Sequence, residues 1–272
     1  MTTASTLLEV QDLSVTYGSG HGAVEAVRGV SFDLGAGRCV AVVGESGSGK
    51  TTIARTVIGT LALHGGGVSG GHVVFDGRDL EEMDSRERRT IHGSRIGYVP
   101  QDALTALNPV VTVGRQIAEC FVVHGRLGRR DARNRAVELL DRVGLPDPLR
   151  AARSYPHQLS GGMRQRAAIA AAISLGPSLV VADEPTTALD PTVQAGVLDL
   201  LRSLRREIGM ALLLISHDLG VVADMADDVV VMCAGEVLER SPAGAFFEGP
   251  THPYAVGLLE AMPSFLGERG DE

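Results

Sequence analysis

The chain has 272 residues and is 44% hydrophobic, which suits one large α/β domain, or a domain with a small appendage, and excludes global disorder. Thirty-three acidic side chains against 25 basic ones leave a formal net charge of −8, which argues against broad nucleic-acid binding. Three scattered cysteines, Cys39, Cys120 and Cys233, support neither a disulfide framework nor a zinc ribbon, so a reducing cytoplasmic compartment is expected.

No apolar run approaches the ~18–20 residues of a membrane span. Met1–Val10 lacks the basic start and apolar stretch of a signal peptide, so a soluble protein is expected. Leu7–Tyr17 and Val24–Leu34 read as strands with partial alternation, separated by the glycine-rich turn Gly18–Gly22. Cys39–Val43 is a continuous apolar run ending in glycine, the pattern of a strand buried on both faces. Gly71–Phe75 and Ile96–Val99 read as further strands. From Asp102 to Leu159 the patterning turns helical, with an arginine-rich stretch from Arg126 to Arg142. Buried-strand signals return at Leu179–Ala182, Ala211–Ile215 and Val229–Cys233. The clearest helix is Pro191–Ile208: Asp190 can cap it, Val193, Val197, Leu200, Leu201, Leu204 and Ile208 share one face, and Gly209 ends it. Such alternation implies a mostly parallel sheet covered by helices and interrupted by one helical insertion. Gly267–Glu272 is expected to be loose.

Of the 25 basic residues a single one, Lys50, is lysine. It lies in Gly44-Glu45-Ser46-Gly47-Ser48-Gly49-Lys50-Thr51, which fits the phosphate-binding loop in full, follows a predicted strand and opens a helix continuing through Thr52. Glycines let backbone N–H groups curl around a phosphate, and the helix N-terminus adds a favourable dipole. In such a loop Lys50 reaches the β- and γ-phosphates of a nucleotide and the Thr51 hydroxyl ligates Mg²⁺. Leu179–Glu184 is a second buried strand, ending in two acids; Asp183 is placed to hold Mg²⁺ through water and Glu184 to polarise an attacking water. Leu159–Arg166 opens another helix with Ser160, Gly161 and Gly162; a cap explains the serine but leaves the paired glycines unexplained.

Over nearly its whole length the sequence resembles the nucleotide-binding subunit of ABC transporters, with the motifs in the family's order. Residues 44–51 match Walker A, Leu159–Gln165 matches the LSGGxxQ signature without a departure, and Leu179–Glu184 resembles Walker B with its catalytic glutamate. Thr187-Ala188-Leu189-Asp190 resembles the D-loop, Gln101 falls at the Q-loop, His217 at the switch histidine, and Tyr17 where the family stacks an aromatic ring on adenine. The resemblance implies a phosphate-loop NTPase core of mostly parallel sheet with an N-terminal antiparallel β subdomain, spanning residues 6–250, with a helical insertion at about 102–160. It also implies two domains paired head to tail, so that Ser160 and Gly162 touch the γ-phosphate held by a partner's phosphate loop. Glu184 would act on water, His217 would hold the γ-phosphate, and Gln101 would sense metal and nucleotide. Tyr17 has a plainer alternative, a strand residue packed on the core; its place just before the phosphate-loop strand favours adenine stacking.

A narrower resemblance is to the oligopeptide, dipeptide and nickel importers: Gln101–Pro109 is similar to their QDPxxSLNP segment and His252–Leu259 to their HPYTxxLL ending. Ala103, Ala106 and Ala255 depart from the proline, serine and threonine of those patterns. Residues 251–272 are then a short importer-type extension, and with no cysteine group after Pro263 no iron–sulfur cluster is expected. The implied ligands are ATP and Mg²⁺. The implied partners are a second ABC ATPase subunit (different or identical), two permeases docking near Gln101–Pro109 and, indirectly, a solute-binding protein. No nucleic acid is expected, and the implied place is the cytoplasmic face of the cell membrane, peripherally. Nickel, a metal–chelator complex or an opine are alternative cargoes, and a non-transport ABC ATPase is a different class lacking support in fused domains or coiled-coil arms. His64, His72, His92, His124 and His157 are scattered and read as surface or loop residues, and the arginines between 126 and 135 as a solvated helix face.

Overall fold

The computed structural model describes residues 6–262 apart from Ala188. Gly267–Glu272, the segment after Pro263 and the Ala188 position of the D-loop-like motif therefore lie outside the described residues. The chain forms two compact units, one from the chain up to Met83 and from Ala211 onward, the other from Asp84–Met210.

The first unit opens with β1 (Thr6–Tyr17) and β2 (Val24–Gly35), and continues with β3 (Cys39–Val43), α1 (Lys50–Val57), β4 (Gly66–Phe75) and β5 (Arg78–Asp79). Strands β2, β1, β4 and β5 make an antiparallel sheet in that order. Alternation in β1 buries Leu8, Val10, Leu13 and Val15, as expected for a sheet with one covered face. β4 starts five residues earlier than the sequence suggests. Glycines at 66, 67, 70 and 71 erase the alternation, and pairing with β1, from Leu8 opposite Phe75 to Tyr17 opposite Gly66, makes the strand instead.

The second unit contains α2 (Ser85–Ile91), β6 (Ile96–Val99), α3 (Ala103–Ala106), α4 (Val113–Val123), α5 (Arg129–Arg142), α6 (Pro148–Arg153), α7 (Gly161–Ile173), β7 (Leu179–Asp183) and α8 (Pro191–Ile208). β6 and β7 pair in parallel, Ile96 with Leu179 through Val99 with Ala182, and the five helices α3–α7 fall between them in the chain. In α5 the apolar stripe Ala132, Ala136, Leu139 and Leu140 is buried while its arginines face outward. Asp190 caps α8 by accepting from the Val193 N–H at 3.0 Å, and Gly209, at φ 70°, ends it.

The chain then returns to the first unit with β8 (Ala211–Ser216), α9 (Leu219–Met225), β9 (Asp228–Cys233), β10 (Glu236–Pro242), α10 (Ala243–Glu248) and α11 (Pro253–Glu260). β3 pairs in parallel with both β8 and β9, and every residue of β3 and β8 is buried. This is what an unbroken apolar run requires: a strand with no solvent face. The fold is thus α/β, with parallel strand pairs, an antiparallel sheet and a helical insertion. No helix among the described residues is long and apolar enough to cross a membrane.

A bulge in β1 accounts for one glycine of β4. Its register shifts between Gln11 and Ser14, and Asp12 there adopts φ 47°. Opposite it, Gly71 has φ 77°, and a Cβ would lie 2.3 Å from the carbonyl oxygens of Gln11 and Asp12. Gly67 has open space around it. We expect Gly71→Ala to lower stability by about 2 kcal/mol or more and Gly67→Ala by under about 0.5 kcal/mol. Urea denaturation of the two variants checks the contrast, and equal costs would show that the bulge does not constrain the strand.

Candidate functional site

Gly44–Thr51 joins the end of β3 to the start of α1. The loop can lie where it does only because two of its residues lack side chains. A Cβ on Gly44, at φ 150°, would sit 2.1 Å from the Met232 carbonyl oxygen of β9, and one on Gly49 would sit 2.5 Å from the Ala26 carbonyl oxygen of β2. Inside the curl lies Lys50, 5% exposed. Its ammonium donates to the carbonyl oxygens of Gly44 and Glu45, both at 2.7 Å, and lies 3.4 Å from the Ser48 hydroxyl. A buried ammonium is costly unless its protons are placed on acceptors, and here the backbone of its own loop supplies them. Thr51 and Thr52 follow in the first turn of α1, whose N-terminus points its dipole at the loop.

Other residues of this unit border the loop. Thr52 lies 3.4 Å, oxygen to oxygen, from the hydroxyl of half-buried Tyr17 at the end of β1. The ring of Tyr17 passes so close to Gly66 that a Cβ there would be 2.8 Å from its Cε1. His217 follows β8 and is exposed. Its neighbour Asp218 caps α9, accepting from the N–H groups of Gly220 at 2.9 Å and Val221 at 3.3 Å, which fixes the backbone on which the imidazole stands. His217 lines a cavity of about 450 Å³ together with Gly44 and Glu45.

In the other unit Asp183 ends β7 and is 2% exposed. Glu184, half-buried and directly after the end of β7, adopts φ 47°, a left-handed conformation uncommon outside glycine. Its Oε2 accepts from Gln101 Nε2 and from the Thr187 hydroxyl, each at 2.9 Å. Gln165 of α7, 4% exposed, donates its amide to the Pro100 carbonyl oxygen at 3.3 Å. The signature helix, the segment of Gln101 and the acid after β7 are therefore joined by hydrogen bonds. Thr187 and Gln165 acquire partners that the motif reading leaves empty; a hydroxyl three residues past the acid is the signal for the first, and the second is marked as the last residue of the LSGGxxQ pattern, which does not say what it bonds.

Ser160 caps α7, its hydroxyl accepting from the Met163 N–H at 3.3 Å. Gly162 faces α8 so closely that a Cβ would lie 2.4 Å from Val193 Cγ1, which is a packing reason for glycine there. Gly161 has room for a Cβ at ordinary contact, 3.6 Å from Leu189 Cδ2. Asp190, exposed, serves as the α8 cap already described.

Residues 27–187 match the family model described as ABC transporter. The oligopeptide transport ATP-binding protein OppD of Bacillus subtilis (strain 168) is 44% identical over 266 residues, 98% of this chain and 74% of the relative. The dipeptide transport ATP-binding protein DppD of the same organism is 44% identical over 257 residues, 94% of this chain and 77% of the relative. Among solved structures, the dimeric post-hydrolysis state of the ATP-binding cassette MJ0796 bound to ADP and Pi superposes with a TM-score of 0.77 at 28% identity, covering 87% of this chain and 99% of that one.

The geometry around Lys50 makes a planar, forked guanidinium a poor substitute for a compact ammonium held between two carbonyl oxygens. We expect Lys50→Arg to weaken ATP binding at least about tenfold, about 1.4 kcal/mol. Unchanged affinity in a nucleotide titration would remove Lys50 from the site.

Proposed function

This chain belongs to the ABC transporter family of ATPases, and we propose that its ATP hydrolysis powers import of di- or oligopeptides through two separate permease subunits at the cytoplasmic face of the cell membrane. The observation that carries the reading is the complete set of ATPase motifs together with the two importer-type segments, Gln101–Pro109 and His252–Leu259. Relatives named for oligopeptide and dipeptide transport support the cargo. The nucleotide-binding domain then spans residues 6–250, with its helical insertion at about 102–160, and residues 251–272 are the importer-type extension.

Each side chain has a chemical part in this scheme. The backbone of Gly44–Gly49 and the N-terminus of α1 would cradle the phosphates, with Lys50 on the β- and γ-phosphates and Tyr17 against adenine. Mg²⁺ fits the oxygen donors of Thr51, Gln101 and Asp183, a hydroxyl, an amide oxygen and a carboxylate, because it is held by few protein oxygens, waters and nucleotide phosphates. These three, Asp183 through water, would supply the protein's share; the ion neutralises charge developing on the phosphates. Glu184 would orient or deprotonate the attacking water, and its bonds to Gln101 and Thr187 restrict where the carboxylate can point. His217 would hold the γ-phosphate.

Ser160, Gly161 and Gly162 would complete the ATP site of a second ATPase subunit, identical or different. Gly161 favours this: its own surroundings leave space for a side chain, and a close approach from another molecule supplies the reason for glycine. A solute-binding protein would deliver the peptide to the permeases.

Replacing the carboxylate in Glu184→Gln should leave ATP affinity within about twofold while lowering turnover of the assembled transporter about 10²- to 10⁴-fold, the range of a lost general base. Near-normal steady-state hydrolysis would remove Glu184 from the chemistry. For the cargo, a cell lacking this gene should lose uptake of radiolabelled tripeptide, restored by the intact chain and not by Lys50→Ala; undiminished uptake would refute the peptide reading.

A further inference from the structure

The bond between the tail and the phosphate loop assigns Tyr254 a role that the ATPase motifs do not contain. The Glu45 N–H donates to the Tyr254 hydroxyl at 3.2 Å, across 209 residues of sequence. That N–H and the Gly44 carbonyl belong to one peptide unit, and the Gly44 oxygen accepts from the Lys50 ammonium at 2.7 Å. A peptide unit is planar, so fixing its nitrogen end fixes the direction of its oxygen end. We propose that Tyr254 is a positioning residue for nucleotide binding: through the Gly44–Glu45 peptide it sets where the Lys50 ammonium stands.

The tyrosine is itself held in place. Glu239 of β10, 9% exposed, accepts from the Thr251 N–H at 2.9 Å and the His252 N–H at 2.7 Å. His252 Nδ1 in turn accepts from the Tyr254 N–H at 3.1 Å, capping α11. The His-Pro-Tyr segment is thus anchored to β10 at its start, while the ring beyond it reaches the loop. Further along α11, Leu258 shares with Gly44, Glu45 and His217 the walls of the 450 Å³ cavity. The Tyr254 hydroxyl is neutral at physiological pH, burial pushes it further from ionisation, and its oxygen accepts in this form. A hydrogen bond at each end of one amide also polarises it, which favours the carbonyl as an acceptor for Lys50.

This inference rests on the reading of Gly44–Thr51 as the ATP site, and the experiment separates the two. The full chain and its Tyr254→Phe, Lys50→Ala and doubly substituted forms are titrated with fluorescent ATP up to millimolar concentrations, with melting temperature as the folding control. Tyr254→Phe keeps the ring and removes the acceptor; it should weaken ATP binding about fivefold, the effect of one neutral hydrogen bond, with little change in melting. In the Lys50→Ala background the same substitution should change affinity less than twofold, because its effect runs through the ammonium. An unchanged affinity for Tyr254→Phe, or an equal loss in both backgrounds, overturns the positioning role. Wild-type affinity in Lys50→Ala alone would instead overturn the ATP-site reading itself.

Discussion

A single buried ammonium, held between two carbonyl oxygens of the loop that carries it, sets the terms for much of the first unit. Lys50 at 5% exposure requires acceptors within reach, and the loop must curl to provide them. To curl there it must pass within van der Waals contact of β2 and β9, which excludes side chains at Gly49 and Gly44. The strand behind it must be rigid enough to hold that position, and β3, buried along its whole length and paired on both sides, is. The glycine pattern and the apolar run preceding it are thus two expressions of one requirement.

The second unit answers a different need, placing a carboxylate with direction. Strand β7 ends in Asp183, and the backbone turns left-handed at Glu184 directly after it. Hydrogen bonds from Gln101 and Thr187 converge on one oxygen of Glu184. Through Pro100 and Gln165 the same neighbourhood connects to the helix that Ser160 caps. A displacement of that helix therefore has a short bonded route to the segment holding the acid.

Much of this was legible in the sequence because the motifs are local. The phosphate loop, the acid pair after an apolar run and the capped amphipathic helix at Pro191–Ile208 each declare themselves within 6–18 consecutive residues. What escaped is defined by a partner and not by its own pattern, whether that partner is near or far in the chain. The first half of β4 is written in glycines and becomes a strand only against β1. β10 mixes charged and apolar residues and is defined by its antiparallel pairing with β9. Gln165 and Thr187 look like ordinary members of their motifs until their bonds to Pro100 and Glu184 are seen. The His-Pro-Tyr tail is recognisable as a family mark, yet no periodicity or spacing connects Tyr254 to a loop two hundred residues earlier.

The use of arginine everywhere but position 50 has a chemical corollary. Reagents and enzymes that acylate lysine side chains find one address on this chain, and it is the one whose ammonium is enclosed by carbonyls. Acylation there would convert the charge that the loop is folded around into a neutral amide, adding bulk where 5% of the surface is open. For every other basic position the guanidinium is indifferent to such chemistry, so lysine acylation of this chain falls on the one charge its loop is folded around.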